Sequence, residues 1–142
     1  MVVYNTLMTK ETVYLGVDYG HVRIGLSTGS SATRLASPVE TLQKVADPAG
    51  AIQSVMGRVE ATELVVGLPR SLSGEETIQT AAIRAFVDHL TERLGCPVHL
   101  QDEAGTSSLA EERLQQSGRP YKKSDIDREA AVIILQDYLE AL

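Results

Sequence analysis

Val13-Tyr14-Leu15-Gly16-Val17-Asp18-Tyr19-Gly20, followed after His21-Val22 by Arg23-Ile24-Gly25-Leu26-Ser27-Thr28, is the stretch on which the fold turns. Val13 to Asp18 reads as a buried strand, closed by Tyr19-Gly20, and Arg23 to Thr28 reads as a second. Too few residues separate them for a crossover helix, so the two strands form an antiparallel hairpin. Gly20 suits the turn, and Gly25 permits another backbone or side chain to approach closely. Asp18 stands at the end of the first strand.

Downstream, Pro38-Val39-Glu40-Thr41-Leu42 reads as a third strand. Ile52, Val55, Met56 and Val59 lie on one face of a helix over 49–61, with Asp47-Pro48 as its start signal. Leu64-Val65-Val66-Gly67 is a short buried strand, and a turn-rich loop over 68–74 follows it. From Glu75 to Leu94, Ile78, Ala82, Phe86 and Leu90 recur at four-residue spacing, and Gly95 stops that helix. Pro97 to Gln101 is a strand ending at Asp102-Glu103, and a helix over 107–116 comes next. A loop carrying Gly118, Arg119, Pro120, Lys122 and Lys123 leads to a last helix over 125–142, striped by Ala131, Ile134, Leu135, Tyr138 and Leu142. The order β-β-β-α-β-α-β-α-α predicts an α/β fold, a mixed sheet with helices on both faces. Residues 1–12 are polar and aperiodic, so they read as a tail before a single domain over 13–142, and Met8 offers a second translation start.

Composition narrows the function classes. The 142 residues carry 19 acids against 13 Lys and Arg, a net charge of -6, which excludes a general basic coat for nucleic acid or anionic membrane. Charge averages over a surface, however, and Arg119, Lys122, Lys123 and Arg128 cluster beside Asp127. Cys96 is the sole cysteine, so neither an intrachain disulfide framework nor a thiolate zinc site is available. No apolar run reaches roughly 18 residues, and residues 1–13 lack a secretory pattern. A cytoplasmic protein with no membrane partner is the expectation.

Three acidic places stand out: Asp18, the Asp102-Glu103 pair and Asp127. Sites in open α/β sheets gather at the carboxyl ends of strands, which favours the first two. Carboxylates brought together repel one another unless a cation neutralises them, and a hard divalent ion such as Mg2+ takes oxygen ligands. Each acid also has a structural reading. Asp18 suits a turn, Asp102 and Glu103 suit solvated strand-end residues, and Ser124-x-x-Asp127 fits a capping box with Asp in place of Glu. His21 reads as an exposed hairpin residue. The glycines around Asp18 match neither G-x-G-x-x-G nor a P-loop, and a strand rather than a helix follows.

Four segments together resemble the YqgF/RuvX proteins, a family of Holliday-junction resolvase-like and pre-16S rRNA nucleases in the RNase H-like superfamily. They are Leu15-Gly16-Val17-Asp18-Tyr19-Gly20 with Arg23-Ile24-Gly25, Val65-Val66-Gly67-Leu68-Pro69 with Gly74, Asp102-Glu103, and Asp127-x-x-Ala130-Ala131-Val132-Ile133-Ile134-Leu135-Gln136-x-Tyr138-Leu139. The resemblance implies an RNase H-like fold, a five-stranded mixed sheet with strand two antiparallel to the rest. It implies that Asp18, Glu103 and Asp127, with Asp102 as a further candidate, hold Mg2+ or Mn2+, two ions, for phosphodiester hydrolysis. The implied partner is nucleic acid, RNA or branched DNA. The candidates to meet it are the local patch of Arg119, Lys122, Lys123 and Arg128 that flanks Asp127, with Arg23 and Arg70 as second choices.

The chain departs from the family pattern at two points. Similar proteins have Arg-Leu-(Ser/Thr)-Thr where Ala104-Gly105-Thr106-Ser107 stands, and often Thr-Lys where His21-Val22 stands, so two cations are missing. Aromatic residues at 4% leave little for base stacking, which argues against sequence-specific reading of single strands. Pre-rRNA maturation is the leading reading. Junction cleavage, which needs a two-fold dimer, is the alternative, and the chain is expected to be a monomer or a homodimer. A non-catalytic nucleic-acid-binding module is the reading from a different class. A sugar-kinase or actin-like ATPase needs two such domains, for which this chain is too short.

Overall fold

The computed structural model describes residues 11–43, 46–69, 77–103 and 105–142. The first hairpin forms as its sequence dictates: β1 (Val13–Tyr19) pairs antiparallel with β2 (Arg23–Ser30), and Gly20 N–H donates to the Arg23 carbonyl at 2.9 Å across the turn. β3 (Ser37–Gln43) adds antiparallel to β2, with an irregularity in register between Leu26 and Ser27. β4 (Glu63–Pro69) and β5 (Val98–Glu103) then pair in parallel on the other side of β1, giving the order β3-β2-β1-β4-β5. β2 alone runs against the rest, as expected for the RNase H-like fold. β4 is longer than its apolar run suggested, because Leu68 continues the ladder and is buried.

The helices cover both faces. α1 (Pro48–Val59) starts where Asp47 accepts the Gly50 N–H at 3.1 Å and Pro48 opens the first turn. With α2 (Ile78–Leu94) it packs Ile52, Val55, Ile83, Phe86 and Leu90 onto Leu15, Val17, Leu26, Leu64 and Val66 of the sheet. The opposite face takes α4 (Lys123–Glu140), whose Ile134, Leu135 and Leu139 bury against Tyr14 and Val65. α3 (Thr106–Gln116) covers α4 from outside through Ala110, Ala130 and Ile133. Among the described residues no helix is long and apolar enough to cross a membrane.

Several expectations shift. The four-residue repeat in α2 does not hold one face, since each such step turns about 40° past a full revolution. Ile78 is consequently 92% exposed and Ala82 exposed, while Thr80, Ile83 and Val87 join Phe86 and Leu90 inside. Thr77 caps α2, its hydroxyl accepting the Thr80 N–H while Thr80 Oγ1 accepts the Thr77 N–H at 2.7 Å. Glu75 and Gly74 lie outside the described residues, as do residues 1–10 of the expected tail. Thr12 belongs to the hairpin, exchanging bonds with Ser31 at 2.9 Å. α4 is buried nearly all round rather than along one stripe, because it lies between the sheet and α3, and Leu142 ends exposed. Asp125, not Asp127, caps that helix, accepting the Lys122 N–H at 2.8 Å.

The seat of α4 depends on missing side chains, those of Gly25 and Gly67 among them. A Cβ on Gly25 would lie 1.9 Å from the Asp127 carbonyl oxygen, and one on Gly67 would lie 2.5 Å from Ile134 Cδ1. Between them Ser27 Oγ donates to the Ala131 carbonyl at 2.7 Å, fixing the helix along its length. Gly25→Ala is therefore expected to lower stability by about 3 kcal/mol, the upper end for overpacking, because backbone atoms on both sides must move. Chemical denaturation checks this, and an unchanged midpoint would show that α4 is not held at this contact.

Candidate active site

Strand alternation puts Asp18 on the same face as Tyr14, the face that α4 covers. Its antiparallel partner across the sheet is Gly25, and the parallel register that joins Val17 to Val66 runs it alongside Gly67. Both neighbours lack side chains, so two other groups come within reach. Asp127, in the second turn of α4, lies over Gly25, and Glu103, the last residue of β5, holds Oε1 3.5 Å from where a Gly67 Cβ would stand. Asp18, Glu103 and Asp127 thus line one cleft of about 270 Å³, with Tyr19, Gly20, Gln79 and residues 105–108 at the start of α3.

Burial pushes the Asp18 carboxyl up to about 7, and the negative charges of Glu103 and then Asp127 push the same way. Burial also raises Glu103, partly offset by a hydrogen bond from the Thr106 side chain. Asp127 is engaged by Arg23, whose Nε donates to Oδ2 at 2.6 Å. Among the described residues, no three His, Cys, Asp or Glu side chains are already arranged to hold a metal ion. The donor set nevertheless has one character: three carboxylates and several hydroxyls, with neither Cys nor His on the wall. That chemistry suits hard, oxygen-seeking Mg2+ or Mn2+ better than Zn2+.

The remaining expected residues divide. Asp102 alternates to the opposite face of β5 from Glu103 and is exposed, so it does not line the cleft. Arg119, Lys122 and Lys123 are exposed around the turn before α4. Arg128 is partly withdrawn and paired with Asp125, one helical turn back. Arg119 and Arg128 also line a second hollow of about 310 Å³ with Pro38 and Tyr121. Arg70 lies outside the described residues. His21 is exposed at the hairpin, beside an apolar hollow of about 550 Å³ shared with Tyr19, Ile78 and Ile83.

Sequence reasoning missed the start of α3. Thr106, Ser107 and Ser108 line the cleft, while Gly105 at φ 66° forms the N-cap and no side chain caps the helix. The helix presents its positive end there, which favours an anionic group. A glycine followed by Thr-Ser-Ser before a helical stretch was the available signal. Comparison with the family pattern registers only the loss of an arginine there.

The Asp18 shift sets a pH dependence. Between the ordinary carboxylate range near 3.8 and about 7 the folded chain holds a proton that the unfolded chain releases. Stability without metal therefore falls as pH rises through that window and levels off above it. Asp18→Asn removes the penalty. It is expected to stabilise the metal-free protein at pH 8 by roughly 1–4 kcal/mol relative to wild type, with most of the gain gone at pH 4. Denaturation midpoints in chelator measure this, and a gain equal at both pH values would contradict the buried, charge-crowded Asp18.

Known proteins bear on this cleft. The family profile described as "RuvX: Holliday junction resolvase" matches residues 12–141. A relative from Chloroflexus aggregans, named "Putative pre-16S rRNA nuclease", is 42% identical over 139 residues, covering 94% of this chain and 96% of that one. One of the same name from Legionella pneumophila is 38% identical over 132 residues, covering 90% and 95%. Among solved structures, Thermus thermophilus RuvC in complex with a Holliday junction substrate superposes with a TM-score of 0.55 at 17% identity, covering 92% of this chain and 94% of that one. The Fowlpox virus resolvase in complex with Holliday junction DNA gives 0.54 at 7% identity, covering 92% and 98%. Those two likenesses concern the fold. With a match spanning nearly its whole length and relatives near 40% identity, this chain belongs to the RuvX family.

Proposed function

We propose that this chain is a divalent-metal-dependent nuclease that hydrolyses a phosphodiester bond in the cleft of Asp18, Glu103 and Asp127. The observation that carries the reading is the convergence of three carboxylates from β1, β5 and α4 in one cleft, where burial first and then the charges of Glu103 and Asp127 raise Asp18 to about 7. Such crowding costs stability and serves no packing purpose, whereas a bound cation would offset it. The chemistry such a cation supplies is Lewis-acid activation of water and stabilisation of charge on the displaced oxygen.

The chain's own residues do the rest. Asp18, the carboxyl that burial shifts furthest, anchors the cation side of the cleft, with Glu103 and Asp127 flanking it. The Thr106 hydroxyl orients Glu103 through the bond that also favours its ionised form. The N-terminal turn of α3 receives a phosphate oxygen, taking the place of the family's missing arginine in charge if not in reach. Arg119, Lys122 and Lys123 hold the polyanion outside the cleft, as a local rim on an acidic protein. Arg128 contributes less, since Asp125 already neutralises it.

Precursor 16S rRNA is the substrate we favour, in 5′ maturation, following the names of the relatives. Junction DNA is the second reading, following the family description. A panel of precursor rRNA, single-stranded RNA and junction DNA, with Mg2+ or Mn2+, separates them. Cleavage of precursor rRNA is expected, with Asp18→Asn inactive and folded. Metal-dependent cleavage that survives in purified Asp18→Asn protein would sink the assignment. The double variant Lys122→Ala/Lys123→Ala should bind nucleic acid more weakly on every sequence. Its salt slope should be shallower by about 1.5, and an unchanged slope would remove the rim.

A further inference from the structure

Arg23 looked from its sequence position like a contact to nucleic acid, but its surroundings differ from those of the rim cations. Its side chain is 25% exposed and that of Asp127 19%, and the bond between Nε and Oδ2 is 2.6 Å. It stands on the α4 side of β2, two residues before Gly25, whose bare surface admits the Asp127 backbone. The contact therefore joins residues 104 apart in sequence, and it engages one carboxylate oxygen. Among the described residues no hydrogen bond or ion pair involves Oδ1 of Asp127.

We infer that Arg23 is a positioning residue that holds Asp127 by Oδ2 and thereby presents Oδ1 to the cation. This role rests on the metal-dependent reading of the cleft given above. Carboxylates that hold metals are commonly fixed by a second hydrogen bond, and losing it costs metal affinity. Guanidinium suits the task, since its planar donors fix direction as well as charge. A lysine at the same place keeps the charge and a donor with looser geometry.

Calorimetric titration of the full chain with Mn2+ tests this without reference to cleavage. Arg23→Met is expected to weaken Mn2+ binding about tenfold or more, and Arg23→Lys to recover part of the loss. Simple charge predicts the reverse, because removing a cation beside a dication site tightens binding. Binding in Arg23→Met that is unchanged or tighter than wild type would overturn the inference. The salt dependence of nucleic-acid binding in chelator is a second readout. A positioning role leaves the slope as in wild type, while a slope lower by about one phosphate contact in Arg23→Met would return Arg23 to the nucleic-acid rim and overturn the role. The two levels of the argument fail separately. If wild type binds Mn2+, Asp18→Asn does not, and Arg23→Met binds normally, only the positioning role falls. If wild type itself binds no Mn2+, the metal-dependent reading falls first and takes this role with it.

Discussion

The close seat of α4 on the glycine-lined face of the sheet is the constraint on which the rest of the structure depends. Asp18 has Gly25 on one side and Gly67 on the other, so no neighbouring side chain crowds it within the sheet. The helix backbone fills the first space and the Glu103 carboxylate overhangs the second. With a methyl group at Gly25 the helix backbone would have to rise and carry Asp127 with it, whereas at Gly67 the clash falls on the tip of the Ile134 side chain. The site is thus a consequence of packing: the same absent side chains that let the core close also bring residues 18, 103 and 127 together.

That arrangement works against the protein's own stability. Taking carboxylates out of water and placing them side by side disfavours their charged forms, and Asp18 bears most of the cost. Two nearby features oppose the crowding: Arg23 on Asp127, and the Thr106 hydroxyl on Glu103. Neither reaches Asp18. Its shift remains large although no buried side-chain polar atom among the described residues lacks a partner. Under the metal-dependent reading proposed above, a bound cation would offset that cost.

Much of this was legible in the sequence, for definite reasons. The antiparallel hairpin followed from the short gap between Asp18 and Arg23, which excludes a helical crossover, and the succession of strands and helices along the chain from apolar runs of strand and helix length. Gly25 announced a close approach, though not that Asp127 would make it. Asp18 and Glu103 were marked by standing at strand ends. What stayed hidden depended on angles that spacing does not report. Ile78 looked like core because four-residue repetition imitates a face over one turn and drifts off it over three. Only the family resemblance favours Glu103 over Asp102 in the sequence, and strand alternation assigns them opposite faces. The alternative capping role of Asp127 fails because the helix begins two residues earlier, at Lys123, and Asp125 takes that place. Arg23 could not be told from a rim cation, since its partner lies 104 residues away.

The fold is shared with resolvases, and fold alone does not fix chemistry. What the sequence and structure add is a specific donor set in a specific place, so the central claim concerns where a divalent cation goes. Anomalous diffraction from crystals grown with Mn2+ locates it directly. The account predicts a peak in the cleft, within coordination distance of about 2.0–2.6 Å from oxygens of Asp18, Glu103 and Asp127. Saturating Mn2+ that leaves the cleft without a peak, or binds through Asp102 and surface carboxylates instead, would contradict it.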